Sequence, residues 1–386
     1  MRGLGLILTL TSCSLAPVLA DAGSLGQYAL QKLLQDGIEV FGDVESTDSA
    51  NENWMGRLPD SMLITHINVP GTHDAATWNY SQATHDALSY ATRCDGTAVP
   101  EPRAYRCQRM SFADSLRAGI RFFDLRCALD PIDANLVFWH GPALVSARAT
   151  VADVLFGFYA WLEAHPSEML ILSFQYEGST KVNATNDAAV QRALFDVLTS
   201  EAARRYVLQE KGTVGTLGGA RGKILLVRRF DLADLPLEFE AAMPGLHMPP
   251  TVWTDNSSDF ELVYNKTTNA TAYIEDYYSP DAYLTTADNI AAKLNATRAH
   301  LEKATQAHFG SLFITFTSGT HVALDPPVFP EVMALGTGTG ANGTEKRGVN
   351  QQLVPLLRHL KGSRLGIVVM DFFEEPEGLV DLVLRF

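Results

Sequence analysis

Basic residues are scarce in this 386-residue chain, with 30 Lys and Arg against 44 Asp and Glu and a formal net charge of -14. That balance excludes nucleic acid as a partner, because phosphate backbones are gripped by clustered cations. It also opposes adsorption to anionic lipid, so contact with a membrane has to rest on apolar side chains. Long apolar runs are missing too. The first spans only Leu4 to Leu10, and nothing later approaches the ~18 residues that cross a bilayer. Cysteine is rare, four in all, and no low-complexity tract divides the chain. With 46% hydrophobic residues, one large domain held by a core is the expected organisation.

What is present points to export. Arg2, the apolar run from Leu4, and Val18-Leu19-Ala20 before Asp21 have the order of a signal peptide cleaved after Ala20. Its loss removes Arg2 and no acid, leaving the mature chain one unit more negative. Sequons at Asn79, Asn183, Asn256, Asn265, Asn269, Asn295 and Asn342 are dense enough to predict a secreted glycoprotein. Cys94 and Cys107 share a loop-like segment rich in Pro and Arg and are expected to form a disulfide. Cys127 falls in the apolar run from Ile120 to Leu129 and is expected as a buried free thiol.

Apolar residues recur with a helical period from about Leu25 to Val40, and a polar run follows from Asp43 to Glu52. Residues 21–57 are therefore read as an N-terminal helix and linker, or equally a propeptide. Residues 58–386 alternate strand-like and helix-like segments. The strand candidates are Met62 to Ile67, Arg121 to Ala128, Leu136 to Trp139, Met169 to Tyr176, Lys223 to Arg229, Ala272 to Glu275, Leu312 to Thr317 and Leu365 to Met370. Helical stretches lie between several of them. This pattern predicts a single α/β domain, an irregular (β/α)8 TIM-like barrel. It is irregular because Leu136 follows Ala128 too closely for an intervening helix.

Chemistry in such barrels gathers at the C-terminal ends of the strands, and polar residues stand in those places. His73 and Asp74 follow Val69-Pro70-Gly71-Thr72, where a Pro-Gly turn is expected to present the imidazole. His140 closes an apolar strand before Gly141-Pro142. Two histidines can supply one base and one acid near neutral pH, which is what cleavage of a phosphodiester by its own neighbouring hydroxyl requires. A lone histidine beside a turn is more often a hydrogen-bonding residue, and His66, His85, His165 and His247 are read that way. Asp124 and Arg126, two apart, share one face of a strand. An inward Arg must be paired or meet an anion; an ion pair with Asp124 and stabilisation of phosphate charge are both open to it.

These residues resemble the catalytic (X) domain family of phosphatidylinositol-specific phospholipase C, in its bacterial-type single-domain form. The specific parts are Pro70-Gly71-Thr72-His73-Asp74, Gly119 through Arg126, and His140-Gly141-Pro142. Weaker echoes are His165 to Glu168, Gly222 through Phe230, and Gly366 to Asp371. The resemblance implies that His73 is the base on the inositol 2-hydroxyl and His140 the acid on the departing diacylglycerol oxygen. It makes Asp371 the residue that orients the base and Asp74 the acid beside it, tied into the arginine network. It implies inositol 1,2-cyclic phosphate as product, and contacts from Arg229, Asp276 and Tyr278 to the headgroup. Gln175 stands where family members often carry lysine, which leaves phosphatidylinositol, a glycosylated form, or another phosphodiester as substrate. Arg126 occupies a position that calcium-using relatives give to a ligand, so no metal and no cofactor are expected.

Two other classes compete with this reading. One is a metal-dependent glycerophosphodiesterase or phospholipase D type, which needs clustered carboxylates. The other is a lipid- or glycan-binding surface glycoprotein without turnover. The expected partner is an inositol phospholipid met by a monomer in transient contact with a membrane surface. Trp78 and Phe329 are the candidate side chains for insertion from the barrel rim, with Phe329 preferred because a glycan at Asn79 would hold Trp78 away.

Overall fold

The computed structural model describes residues 18–43, 49–92, 100–132, 134–177, 186–338 and 346–384. Within them one sheet contains β1 (Val69–Thr72), β2 (Phe122–Leu129), β3 (Leu136–His140), β4 (Ala143–Leu144), β5 (Leu170–Tyr176), β6 (Ile224–Arg229), β7 (Leu246–His247), β8 (Phe260–Asn265), β9 (Ala270–Glu275), β10 (Leu312–Phe316) and β11 (Ile367–Met370). Eight of these, β1, β2, β5, β6, β7, β9, β10 and β11, follow one another round a barrel in chain order, and each neighbouring pair but one is bonded in parallel. The exception is β7 with β9. There β8 folds back antiparallel on β9 and lies against β7. The barrel is nearly closed, as the alternating pattern predicted.

Strands buried on both faces read as continuous apolar runs, and parity then sorts the side chains. Val69, Phe122, Ile171, Val227, Ile314 and Val369 point into the barrel. Their neighbours Phe123, Leu125, Leu172, Leu226, Val368 and Met370 point out to the helical layer. Gly71 is inward, and a Cβ there would stand 2.8 Å from Phe122 Cδ1. Glycine at this position lets the Phe122 ring fill the barrel beside β1.

The outer layer is built from amphipathic helices with explicit starts. Thr150 and Asp153 form a capping box at the head of Val151–Ala164. Asp187 caps Ala188–Leu198, and Thr285 caps Thr286–Gln306. The N-terminal helix, Val18–Phe41, packs on Val151–Ala164, and its Phe41 ring fills the notch left by Gly157, where a Cβ would approach it to 2.6 Å. Val40 and Phe41 belong to the core outside the barrel, Trp54 and Met55 to the core within it. The floor is closed by a buried pair in which Arg121 Nε and Nη2 donate to Glu168 Oε2 at 3.0 and 2.8 Å.

Several expectations are corrected. The first stave is Val69–Thr72; Ile64–His66 ahead of it is a 3-10 turn. Pro70 and Gly71 lie inside that strand rather than in a turn. The Leu136 strand is antiparallel to β2 and forms a flap with β4, so the missing stave is β7, only two residues long. Cys107 is a free buried thiol, enclosed by Tyr105 and His140, while Cys94 lies outside the described residues. Phe329 is 4% exposed, packed with Tyr80 and Tyr105 under the Arg103 guanidinium, and cannot insert into lipid. Trp78 is half-buried and donates its indole N–H to Val40 O.

Candidate active site

The inward parity of the barrel continues one step past its last apolar layer. Gly71 leads to His73, Phe122 to Asp124 and Arg126, Ser173 to Gln175, Val227 to Arg229, Ile274 to Asp276, and Val369 to Asp371. Seven side chains from six strands therefore converge over the apolar interior without any of them belonging to the same loop. Most of them line a cleft of about 690 Å³, to which Tyr105, His140, Glu177, Trp253 and Tyr278 also contribute.

His73 is held by its backbone N–H, which donates to Met370 O at 3.1 Å. Its Nδ1 lies 2.9 Å from Asp371 Oδ1. With the carboxylate accepting, the proton sits on Nδ1 and the lone pair of Nε2 faces the cleft. Burial, then the Arg126 charge, pushes the imidazole well below the ordinary histidine range. Burial drives Asp371 well above the usual carboxylate range. Both shifts oppose a charged imidazolium–carboxylate pair.

His140 arrives differently, on the β3–β4 flap that Gly141 turns at φ 52°. Its Nδ1 lies 2.7 Å from Tyr105 O. A carbonyl only accepts, so Nδ1 carries a proton and Nε2 is the atom available to the cleft. Burial lowers this imidazole too, with Glu177 pulling the other way. The two rings stand 6.2 Å apart, edge to face.

Between them lies Asp74, in the left-handed region at φ 41° that Asp tolerates better than most residues. Its buried Oδ2 accepts no hydrogen bond. It faces His140 Nε2 at 3.3 Å, Arg126 Nη1 at 3.4 Å and His73 Nε2 at 3.7 Å. Burial raises this carboxyl; Arg126 opposes the rise, while Glu177 and Asp124 add to it. Arg126 is a hub: Nε donates to Asp124 Oδ2 at 3.0 Å and Nη1 to Glu177 Oε2 at 2.7 Å. The ion pair with Asp124 that strand spacing allowed is present, and the guanidinium still borders the cleft.

Arg229 stands 3.5 Å from Asp124 and 3.6 Å from Asp276, with Trp253 stacked 3.7 Å from its guanidinium. Trp253 Nε1–H also donates to Asp276 Oδ2 at 2.8 Å. Tyr278, 37% exposed, donates to Asp255 at the mouth. Gln175 lines the cleft with its Oε1 unpartnered. Asp74, His140 and Glu177 come within 4.8 Å of one another, a set that could hold a cation; Arg126 already places a positive charge against both carboxylates.

Sequence reasoning missed the residues that hold the catalytic segments in place. Gln108 Nε2 donates to the carbonyls of His73 and Met370 at 2.7 and 2.9 Å. Asn350 Nδ2 reaches the carbonyls of Asp371, Phe372 and Glu375. Neither amide carries a local signal, since each works only after distant strands have been brought beside it. His66, His85, His165 and His247 bond Phe309 O, Tyr80 Oη, Trp161 O and Asp231 respectively.

Residues 101–230 match the family model described as phosphatidylinositol-specific phospholipase C, X domain. The 1-phosphatidylinositol phosphodiesterase of Staphylococcus aureus is 22% identical over 301 residues, 76% of this chain and 86% of that protein. Human PI-PLC X domain-containing protein 3 is 31% identical over 231 residues, 55% of this chain and 66% of that protein. Among solved structures, a pentafluorophenylalanine-containing phosphatidylinositol-specific phospholipase C from Staphylococcus aureus superposes with TM-score 0.63 at 19% identity, covering 86% of this chain and 97% of that one. That likeness extends the shared fold well beyond residues 101–230. The chain belongs to the phosphatidylinositol-specific phospholipase C X-domain family.

Proposed function

We propose that this chain is a secreted phosphodiesterase that cleaves phosphatidylinositol, or a glycosylated form of it, to diacylglycerol and inositol 1,2-cyclic phosphate without a metal. The observation that carries the reading is the pair of imidazoles 6.2 Å apart, each with Nε2 turned to the cleft and Arg126 beside them. The 2-hydroxyl oxygen attacks phosphorus while its proton passes to His73 Nε2. The bond from phosphorus to the glycerol oxygen breaks, and that oxygen takes a proton from His140 Nε2. Arg126 meets the charge that builds on the phosphate oxygens. A bound phosphodiester anion raises His140 toward the protonated form this step needs. Asp276 and Arg229 offer a carboxylate and a guanidinium to ring hydroxyls.

Export rests on the leader sequence, of which residues 1–17 lie outside the described residues. Asn79, Asn269 and Asn295 are exposed and suited to carry glycans. Asn256 and Asn265 already donate their amides to Ser279 O and Gly212 O, while Asn183 and Asn342 lie outside the described residues. We assign lipid contact to exposed apolar side chains in the segments after the strand C-termini: Leu237, at the head of the short helix Leu237–Ala242, at 87% exposure, Leu284 at 79%, Ile132, Val252 and Tyr283. Incubation with phosphatidylinositol vesicles in EDTA, read by phosphorus NMR, tests the reading. Cyclic inositol phosphate with undiminished rate is expected; absence of turnover, or activity restored only by added metal, overturns it.

A further inference from the structure

Beside the two imidazoles lies a kind of ligand that the reaction does not use. Cys107 is fully buried, with its N–H donating to Thr77 Oγ1 at 3.0 Å and its carbonyl accepting from Phe372 N–H at 3.1 Å. The backbone is pinned on both sides. The thiol itself lies 3.9 Å from Tyr105 O and 3.9 Å from His140 Nδ1, with the Thr77 hydroxyl beside it. One ligand atom each from His73, Asp74 and Cys107 lies within 4.8 Å of the others. Asp74 Oδ2, buried and accepting no hydrogen bond, stands 3.7 Å from His73 Nε2, the nitrogen that Asp371 leaves free.

Imidazole nitrogen, thiolate sulfur and carboxylate oxygen form a zinc donor set. Bonds of about 2.0–2.3 Å place tetrahedral ligands roughly 3.5 Å apart, so closing this trio asks for about 1 Å of side-chain rotation. Calcium and magnesium, as oxygen-seeking ions, gain little from sulfur.

We propose that the catalytic centre doubles as an inhibitory site for a thiophilic divalent cation, zinc or cadmium, held by His73 Nε2, Asp74 and Cys107. Binding forms a metal–sulfur bond, releases the thiol proton to solvent, and occupies the lone pair that would otherwise accept the substrate's proton. No oxidation state changes. The inference goes beyond the lipid reading, and its binding arm needs no substrate, so the two can fail separately.

Cadmium is titrated into the full chain in chelator-free buffer and followed by its ultraviolet thiolate charge-transfer band; in parallel, zinc is added to the hydrolysis assay. The band is expected in the wild type and absent in Cys107→Ser. Zinc inhibition should be reversed by EDTA and weakened at least about tenfold in that variant, whose metal-free rate stays at the wild-type level. Cys107→Ala replaces it should the serine variant not fold. No band in the wild type, or zinc sensitivity unchanged in the cysteine variants, overturns the proposal.

Discussion

A histidine serves as a base only while one of its nitrogens is bare, and Asp371 arranges this for His73 by accepting the Nδ1–H hydrogen bond at 2.9 Å, which keeps the proton there and Nε2 bare. Replacing either His73 or His140 by Ala should cost ~10² to 10⁴-fold in kcat or more, measured on vesicles and on a soluble inositol phosphodiester; a variant with full rates removes it from the proton relay. Both imidazoles are pushed below the ordinary value, 6.5, chiefly by burial. The base then stays unprotonated into acid, whereas the acid loses its proton early as pH rises. The bell of kcat/KM against pH is therefore expected to peak below about 6.5. The alkaline limb of kcat should lie higher, because bound phosphate holds the proton on His140. A kcat/KM optimum above neutrality contradicts this assignment. Asp371 carries a stability consequence as well. A carboxyl whose folded pKa is raised holds its proton more tightly folded than unfolded, so it costs stability above that pKa and the cost fades as pH falls through it. Asp371→Asn should accordingly raise Tm at pH 7 while lowering turnover; a lowered Tm would show that its charge is stabilising.

Elements differ in what they can lose. The segments after β6 and β9 place Leu237 and Leu284 in solvent, where no core depends on them. Leu237→Ser with Leu284→Ser should weaken sedimentation with vesicles and cut the rate on them, yet spare a soluble substrate. Equal losses on both would return these side chains to a packing role. Phe329 is the contrasting case, since its ring lies under Arg103 against Tyr80 and Tyr105. Truncating it to Ala should cost about 3–5 kcal/mol of stability by denaturant unfolding, without selecting between substrates. The N-terminal helix behaves likewise at its end, where Phe41 packs face to edge with Phe158 at 5.4 Å. Phe41→Ala should destabilise by a similar amount, which a detachable propeptide would not do.

Charge acts on the molecule as a whole. A net -14 leaves nothing to attract an anionic bilayer, so binding must come from the apolar rim against a repulsion that salt screens. On vesicles rich in anionic lipid, the initial rate should rise between low and physiological ionic strength. On vesicles whose bulk lipid is zwitterionic it should change little. A fall with salt on the anionic vesicles would mean that a local basic patch, not the overall charge, governs docking.

Sequence by itself determined the alternation of strands and helices, and with it the barrel, because apolar runs and their period are set residue by residue. It also determined which side chains could form the site, since parity along each strand aims His73, Arg126, Arg229, Asp276 and Asp371 inward once the strands are found. It could not identify β7, whose two residues carry too little pattern, or β8, whose residues are mostly half-exposed. Nor could it tell that the Leu136 strand is a flap and not a stave, since an apolar run looks the same whether its partner is parallel or antiparallel. Only the tertiary structure decided that Phe329 is buried, that Cys107 sits free beside His140, and that Gln108 and Asn350 bind the carbonyls behind His73 and Asp371. Each of these is a contact between residues far apart in the chain, and burial and hydrogen-bond partners exist only after the barrel has brought them together.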